Sequence, residues 1–186
     1  PPIGASADLE VQEYLLMLER LALDTAAGIE AAAAQINTMS PAAGRDAILH
    51  LVDNYGPDVA PQVLAAMDPA AAGAILVFDQ SLHLYNQTNR GAAEGPLAGP
   101  TELVEQVLTL TVSDPTSAGE ILSAAGANDI EVSGHILQTM ISAGISSDIA
   151  KSLIHADPLV AAELLNEALQ VEQDATPDWA PETSKV

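Results

Sequence analysis

Carboxylates dominate the side chains that could do chemistry in this chain: 26 Asp and Glu stand against 5 Lys and Arg, 4 His and no cysteine. Without a thiol there is neither a disulfide frame nor thiolate chemistry to expect. Asp53 and Asp58 flank a turn in Asp53-Asn54-Tyr55-Gly56-Pro57-Asp58 and are the metal candidates. Their oxygens could meet a hard cation, but the spacing and closing Glu of an EF-hand loop are missing. The expectation is no dedicated cofactor, with calcium or magnesium held loosely by the acidic surface.

Catalytic constellations are missing too. His50, His83, His135 and His155 are dispersed, and the chain has no His-Glu-x-x-His, no Gly-x-Ser-x-Gly elbow, no Walker loop and no Gly-x-Gly-x-x-Gly. An enzyme would have to build a polar cleft from His83, His135 or the Asp53 region, so the expectation is a chain that is not an enzyme. Asn86-Gln87-Thr88 is a formal glycosylation sequon in what reads as a loop.

The net charge of −21 excludes nucleic acid and anionic membrane surfaces as partners. The basic residues are Arg20, Arg45, Arg90, Lys151 and Lys185, and none falls between 91 and 150, so no basic patch can form. Self-repulsion at this charge favours salty or cation-rich surroundings, which points to an extracellular or cell-surface setting, a cytoplasmic one remaining compatible. The longest strongly apolar run, residues 69–78, is bounded by Asp68 and Asp79 and is too short for a membrane span. There is no signal-peptide pattern, and Pro1-Pro2 stand where a Met would, which suggests a removed leader or a trimmed chain.

Hydrophobic residues make up 48% of the chain but aromatics only 3%, so alanine carries much of the apolar count. Small side chains permit close helix–helix approach, while each buries little area at about 25 cal/mol per Å². One core, with tails, suits 186 residues.

The elements that would position any site recur. Met39-Ser40-Pro41-Ala42-Ala43, Met67-Asp68-Pro69-Ala70-Ala71, Ser113-Asp114-Pro115-Thr116-Ser117 and Ala156-Asp157-Pro158-Leu159-Val160 share one start. Ile75-Leu76, Ile121-Leu122 and Leu164-Leu165 begin six residues after their prolines, and in the first copy Ile48-Leu49 begins seven after Pro41. In each start a Ser or Asp can cap free amides, and proline at the first helical position has no donor to lose. Weaker copies follow Pro57 and Pro100, and Asn128 and Ser147 serve as caps without proline. The period predicts helices of about 10 to 15 residues over 40–170, a helical-repeat pattern. Leu108-Thr109-Leu110-Thr111-Val112-Ser113 alternates like a strand but sits in helical context and reads as helix. The Gly- and Pro-rich stretch 86–100 reads as a hinge or excursion.

Residues 7–39 read as one long helix capped by Ser6. Val11, Leu15, Leu18, Ala22, Thr25, Ile29, Ala32, Ile36 and Met39 recur at steps of four and three, an apolar stripe that packs along its own domain or docks on another subunit, and Gly28 could interrupt it. Residues 171–186 read as an acidic, proline-bearing arm, in which Trp179 between Pro177 and Pro181 either anchors on a neighbour or folds back. The interface candidates are thus Val11, Leu15, Leu18, Ile29, Ile36 and Trp179.

The Asp-Pro copies starting at Pro69, Pro115 and Pro158 resemble the short-helix repeats in the N-terminal cytoplasmic domain of MgtE-type magnesium transporters and in the related middle domain of the flagellar switch protein FliG. The resemblance covers 39–170 and implies a right-handed superhelical stack. The Glu usual after the proline in those families is Ala42, Ala70, Thr116 or Leu159 here, and no acidic ligand set for magnesium can be matched.

The expectation is an all-α fold: a right-handed, solenoid-like stack of short helices at 40–170, with a long N-terminal helix at 1–39 and an extended arm at 171–186. Its function would be structural, as a subunit associating with itself or with a larger assembly, such as an extracellular filament or surface layer. The alternative is an acidic, cation-responsive adapter resembling the MgtE domain.

Overall fold

The computed structural model describes residues 3–89 and 99–175. They form ten α-helices and no strand: α1 (Ile3–Leu18), α2 (Ala26–Ile36), α3 (Pro41–Asn54), α4 (Val59–Ala66), α5 (Pro69–Asn89), α6 (Glu102–Ser113), α7 (Pro115–Asn128), α8 (Ile130–Ser142), α9 (Ser146–Ala156) and α10 (Pro158–Ala175).

Proline opens α3, α5, α7 and α10 as the repeat predicts, each behind a side-chain oxygen that accepts a free amide. Ser40 accepts from the Ala43 N–H at 3.3 Å, Asp68 from Ala70 at 3.1 Å, Asp114 from Ser117 at 3.2 Å and Asp157 from Leu159 at 3.0 Å. Each such cap contributes about 1 kcal/mol.

The weaker starts shift by a residue or so. Asp129, not Asn128, caps α8 by accepting from Val132, because Asn128 is drawn into the last turn of α7. Thr101 caps α6 after Pro100, while α9 begins at Ser146 behind Ile145 with no side-chain cap. The alternating stretch at 108–113 is helical within α6: its apolar Leu110 is buried and Val112 is exposed. Residues 86–89, expected in a hinge or excursion, belong to α5, and 90–98 lie outside the described residues. At the other end, 171–175, expected in the arm, continue α10, and 176–186 lie outside the described residues.

Instead of one helix over 7–39 there are two, α1 and α2, separated by 19–25. Gly28 explains the break. Its missing Cβ leaves room for the Ala22 carbonyl, with which any side chain at 28 would collide. Thr25 fastens the same turn, donating its hydroxyl to the Ala22 carbonyl at 2.7 Å and accepting the Gly28 N–H at 3.1 Å. A capped restart thereby replaces continuous helix.

Helices pack chiefly on the next but one: α1 on α3, α3 on α5, α5 on α7 and α7 on α9, with α2 on α4, α4 on α6 and α8 on α10. Side contacts such as α6 with α7 and α9 with α10 join the two series. A continuous apolar cluster runs through them from Tyr14 to Ala168, rich in alanine (Ala32, Ala33, Ala47, Ala60, Ala72, Ala118).

Glycines near the start of the Asp-Pro helices bring the backbones together. A Cβ on Gly73 would lie 2.7 Å from the Ala125 nitrogen of α7, and one on Gly119 would lie 2.5 Å from the Ser152 carbonyl oxygen of α9. Both glycines stand four residues after the proline that opens their helix. Backbone cannot swing aside as a side chain can, so Gly119→Ala forces α7 and α9 apart. We expect a loss of about 1–3 kcal/mol in urea unfolding followed by circular dichroism, the range typical of overpacking.

Candidate functional site

Three described features could carry function: a buried polar tie, an open groove and a set of exposed leucines.

The tie centres on Asp79 of α5, which is 2% exposed. Arg45 of α3 donates its Nε–H to Oδ1 at 2.7 Å, and the Thr101 hydroxyl donates to Oδ2 at 2.6 Å. Thr101 also accepts the Val104 N–H, so one carboxylate joins α3 and α5 to the cap of α6. With a donor on each oxygen, Asp79 holds helices together and offers no free acid or base. Sequence reading took Asp79 only as the end of an apolar run. The signal that could have found it is its position four residues after buried Ile75 and seven after buried Ala72, on the same inward face.

The groove, of about 570 Å³, lies between the α6–α7 corner (Thr111, Val112, Pro115, Thr116) and one face of α9 (Asp148, Lys151, Ser152, His155). Ser, His and Asp there suggest a hydrolytic trio, but the geometry differs. The Ser152 hydroxyl donates to the Asp148 backbone carbonyl at 2.9 Å, one turn back along its own helix. His135 lines a separate hollow of about 410 Å³ with Glu131, Glu167 and Asp174, and neither His83 nor Asp53 is among the residues lining it. Among the described residues no group of three or more His, Asp or Glu is arranged to hold a metal ion. Asp53, in α3, and Asp58, before α4, are both exposed, and Asp58 makes no side-chain cap. Asn86 is exposed on α5 and does not stand in a loop.

The expected interface stripe turns inward. Leu18, Ile29 and Ile36 are buried in the chain's own core, Leu15 packs against that core, and Val11 is half-buried. The break at 19–25 is the reason: α1 and α2 each pack on their own partner, α3 and α4, so both halves of the stripe are spent inside the fold. Trp179, the remaining interface candidate, lies outside the described residues.

Other apolar side chains are exposed instead. Leu9 and Leu16 of α1 are 62% and 64% exposed, and Leu159 of α10 is 79% exposed. Ile154 of α9 and Leu169 of α10 are exposed as well, whereas α2, α3 and α4 have no large exposed apolar side chain among the described residues. Among the described residues no helix is long and apolar enough to cross a membrane.

No family model matches this chain, and no curated protein or solved structure matches it either.

Two buried hydroxyls, those of Tyr14 and Ser133, have no hydrogen-bond partner among the described atoms. Burial, with a smaller contribution from Tyr55, pushes the Tyr14 phenol above its ordinary range. The native state therefore keeps a proton that the unfolded chain releases above about pH 10, and stability falls as pH rises past that value. Tyr14→Phe removes the orphaned hydroxyl while keeping the ring. We expect about 1 kcal/mol of added stability at neutral pH and a shallower alkaline decline in thermal unfolding.

Proposed function

We propose that this chain is a non-enzymatic structural subunit that associates with copies of itself. The observation that carries the reading is the pairs of exposed leucines on the first and last described helices, Leu9 and Leu16 of α1 and Leu159 and Leu169 of α10, beside single exposed side chains such as Val112 of α6. Exposed apolar side chains gathered on particular helices mark interaction surfaces, whereas singly scattered ones do not.

In this reading the two series of helices wind as a right-handed superhelix, the arrangement implied by the likeness to the MgtE and FliG repeats. A chain with charge −21 repels its copies at low salt, so association waits on counterions. An extracellular or surface setting rich in cations suits such a subunit. The alternative, a cation-responsive adapter, has no ligand group among the described residues to favour it.

Light scattering across a sodium chloride series tests the reading. Screening shortens from about 10 Å at 0.1 M to about 3 Å at 1 M, and the average mass is expected to climb with salt. A single-chain mass at every salt and protein concentration would overturn self-association.

A further inference from the structure

A hollow of about 150 Å³ lies between α8 and the C-terminal half of α10, lined by Ile141 of α8 and by Leu165, Ala168, Leu169 and Glu172 of α10. The α10 residues stand at steps of three, one and three, so the hollow follows one face of that helix into its last two turns. Ile141 and Leu165 pack against the core, and Leu169 is 57% exposed. Apolar cavities of about 150 Å³ take up a benzene-sized ring. Here the exposed side of Leu169 leaves room for the rest of an indole.

The chain carries an occupant of that chemistry close by. The helix α10 ends at Ala175, two residues before Pro177, which lacks the N–H that a further turn needs and disfavours helix at the residue before it. Trp179, the single tryptophan, stands four residues past Ala175. At about 3.3 Å per residue, four residues reach about 13 Å. Leu169 is six residues before Ala175, about 9 Å back along the axis at about 1.5 Å per residue. A chain that reverses at Pro177 therefore brings the indole over Leu169 with length to spare.

Charge works against this seat. Asp178 and Glu182 have the sign of Glu172 and Asp174 at the end of α10, and Lys185 is the one cation beyond it. Apolar burial must hold the contact, and added salt tightens it. The tether decides between occupants: a short one holds its load at an effective concentration on the order of millimolar, whereas a second copy must arrive against the net charge of −21.

From this we infer that Trp179 seats in the hollow between α8 and α10 of its own chain and covers Leu169. Neither the hollow nor the reach of the tether depends on self-association. Where copies meet over Leu169, the tryptophan has to leave first.

Trp179 reports on its own position, because no other residue of the chain is tryptophan. Where light scattering gives a single-chain mass, its fluorescence is expected at shorter wavelength than in urea and is expected to resist quenching by acrylamide. Leu169→Asp is expected to abolish both effects with helix content unchanged by circular dichroism, while Leu159→Asp, at the other end of α10, leaves both in place. A contact readout covers the case in which Leu169→Asp loses helix. The chain has no cysteine, so Ser142→Cys, exposed at the hollow, takes a single nitroxide label, which quenches indole on contact. That label is expected to dim Trp179, and the same label on exposed Thr116→Cys of α7 is not. Emission like that of the urea-unfolded chain, or no quenching from position 142, overturns the seat. Protected emission that survives Leu169→Asp puts the indole elsewhere and overturns it too. Protection that appears only as mass grows with protein concentration makes a second copy's hollow the site and overturns the seat within one chain.

Discussion

Close approach of helix backbones is the constraint on which this structure depends. With aromatics at 3% of the chain, the core is built from Leu, Ile and Val with alanines between them, and the gain of about 0.8 kcal/mol per buried CH₂ is collected over many contacts between closely set helices. Glycines at 73 and 119 make that possible, because each lets the backbone of a helix two places on come into van der Waals contact. Dispersion between closely packed backbones is weak per atom pair and large in sum. The same requirement makes the fold sensitive to a single added methyl at these points and tolerant of change where the helices face water.

The repeated starts serve that packing. A Ser or Asp cap followed by proline sets the first turn of α3, α5, α7 and α10, and in α3, α5 and α7 the glycine behind it lies on the side of the helix that meets its neighbour. Asp79 adds a polar tie across three helices without leaving a charge unpaired, since Arg45 and Thr101 occupy its two oxygens. The remaining described acidic residues are largely on the surface, where they repel one another at low salt.

Much of this was legible in the sequence. The caps at Ser40, Asp68, Asp114 and Asp157 could be read directly, because a cap and a first-turn proline act locally. What could not be read depended on distant partners. The apolar stripe at 11–36 has the spacing of one continuous helix, and spacing says nothing of the Ala22 carbonyl that occupies the space over Gly28 and ends α1 early. Spacing alone left open whether Leu18, Ile29 and Ile36 pack along their own domain or dock on another subunit, and the structure buries them as α1 and α2 pack on α3 and α4. Asp79 was hidden because its two partners lie 34 and 22 residues away in sequence.

The central proposal is that the chain associates with copies of itself. Native mass spectrometry of the unaltered chain from concentrated ammonium acetate tests it most directly, because that volatile salt screens charge and each assembly is counted in whole chains. The account predicts a ladder of successive multiples of the single-chain mass that lengthens with protein concentration, or one closed multiple if the contact forms a ring. A single chain alone at every concentration would contradict it.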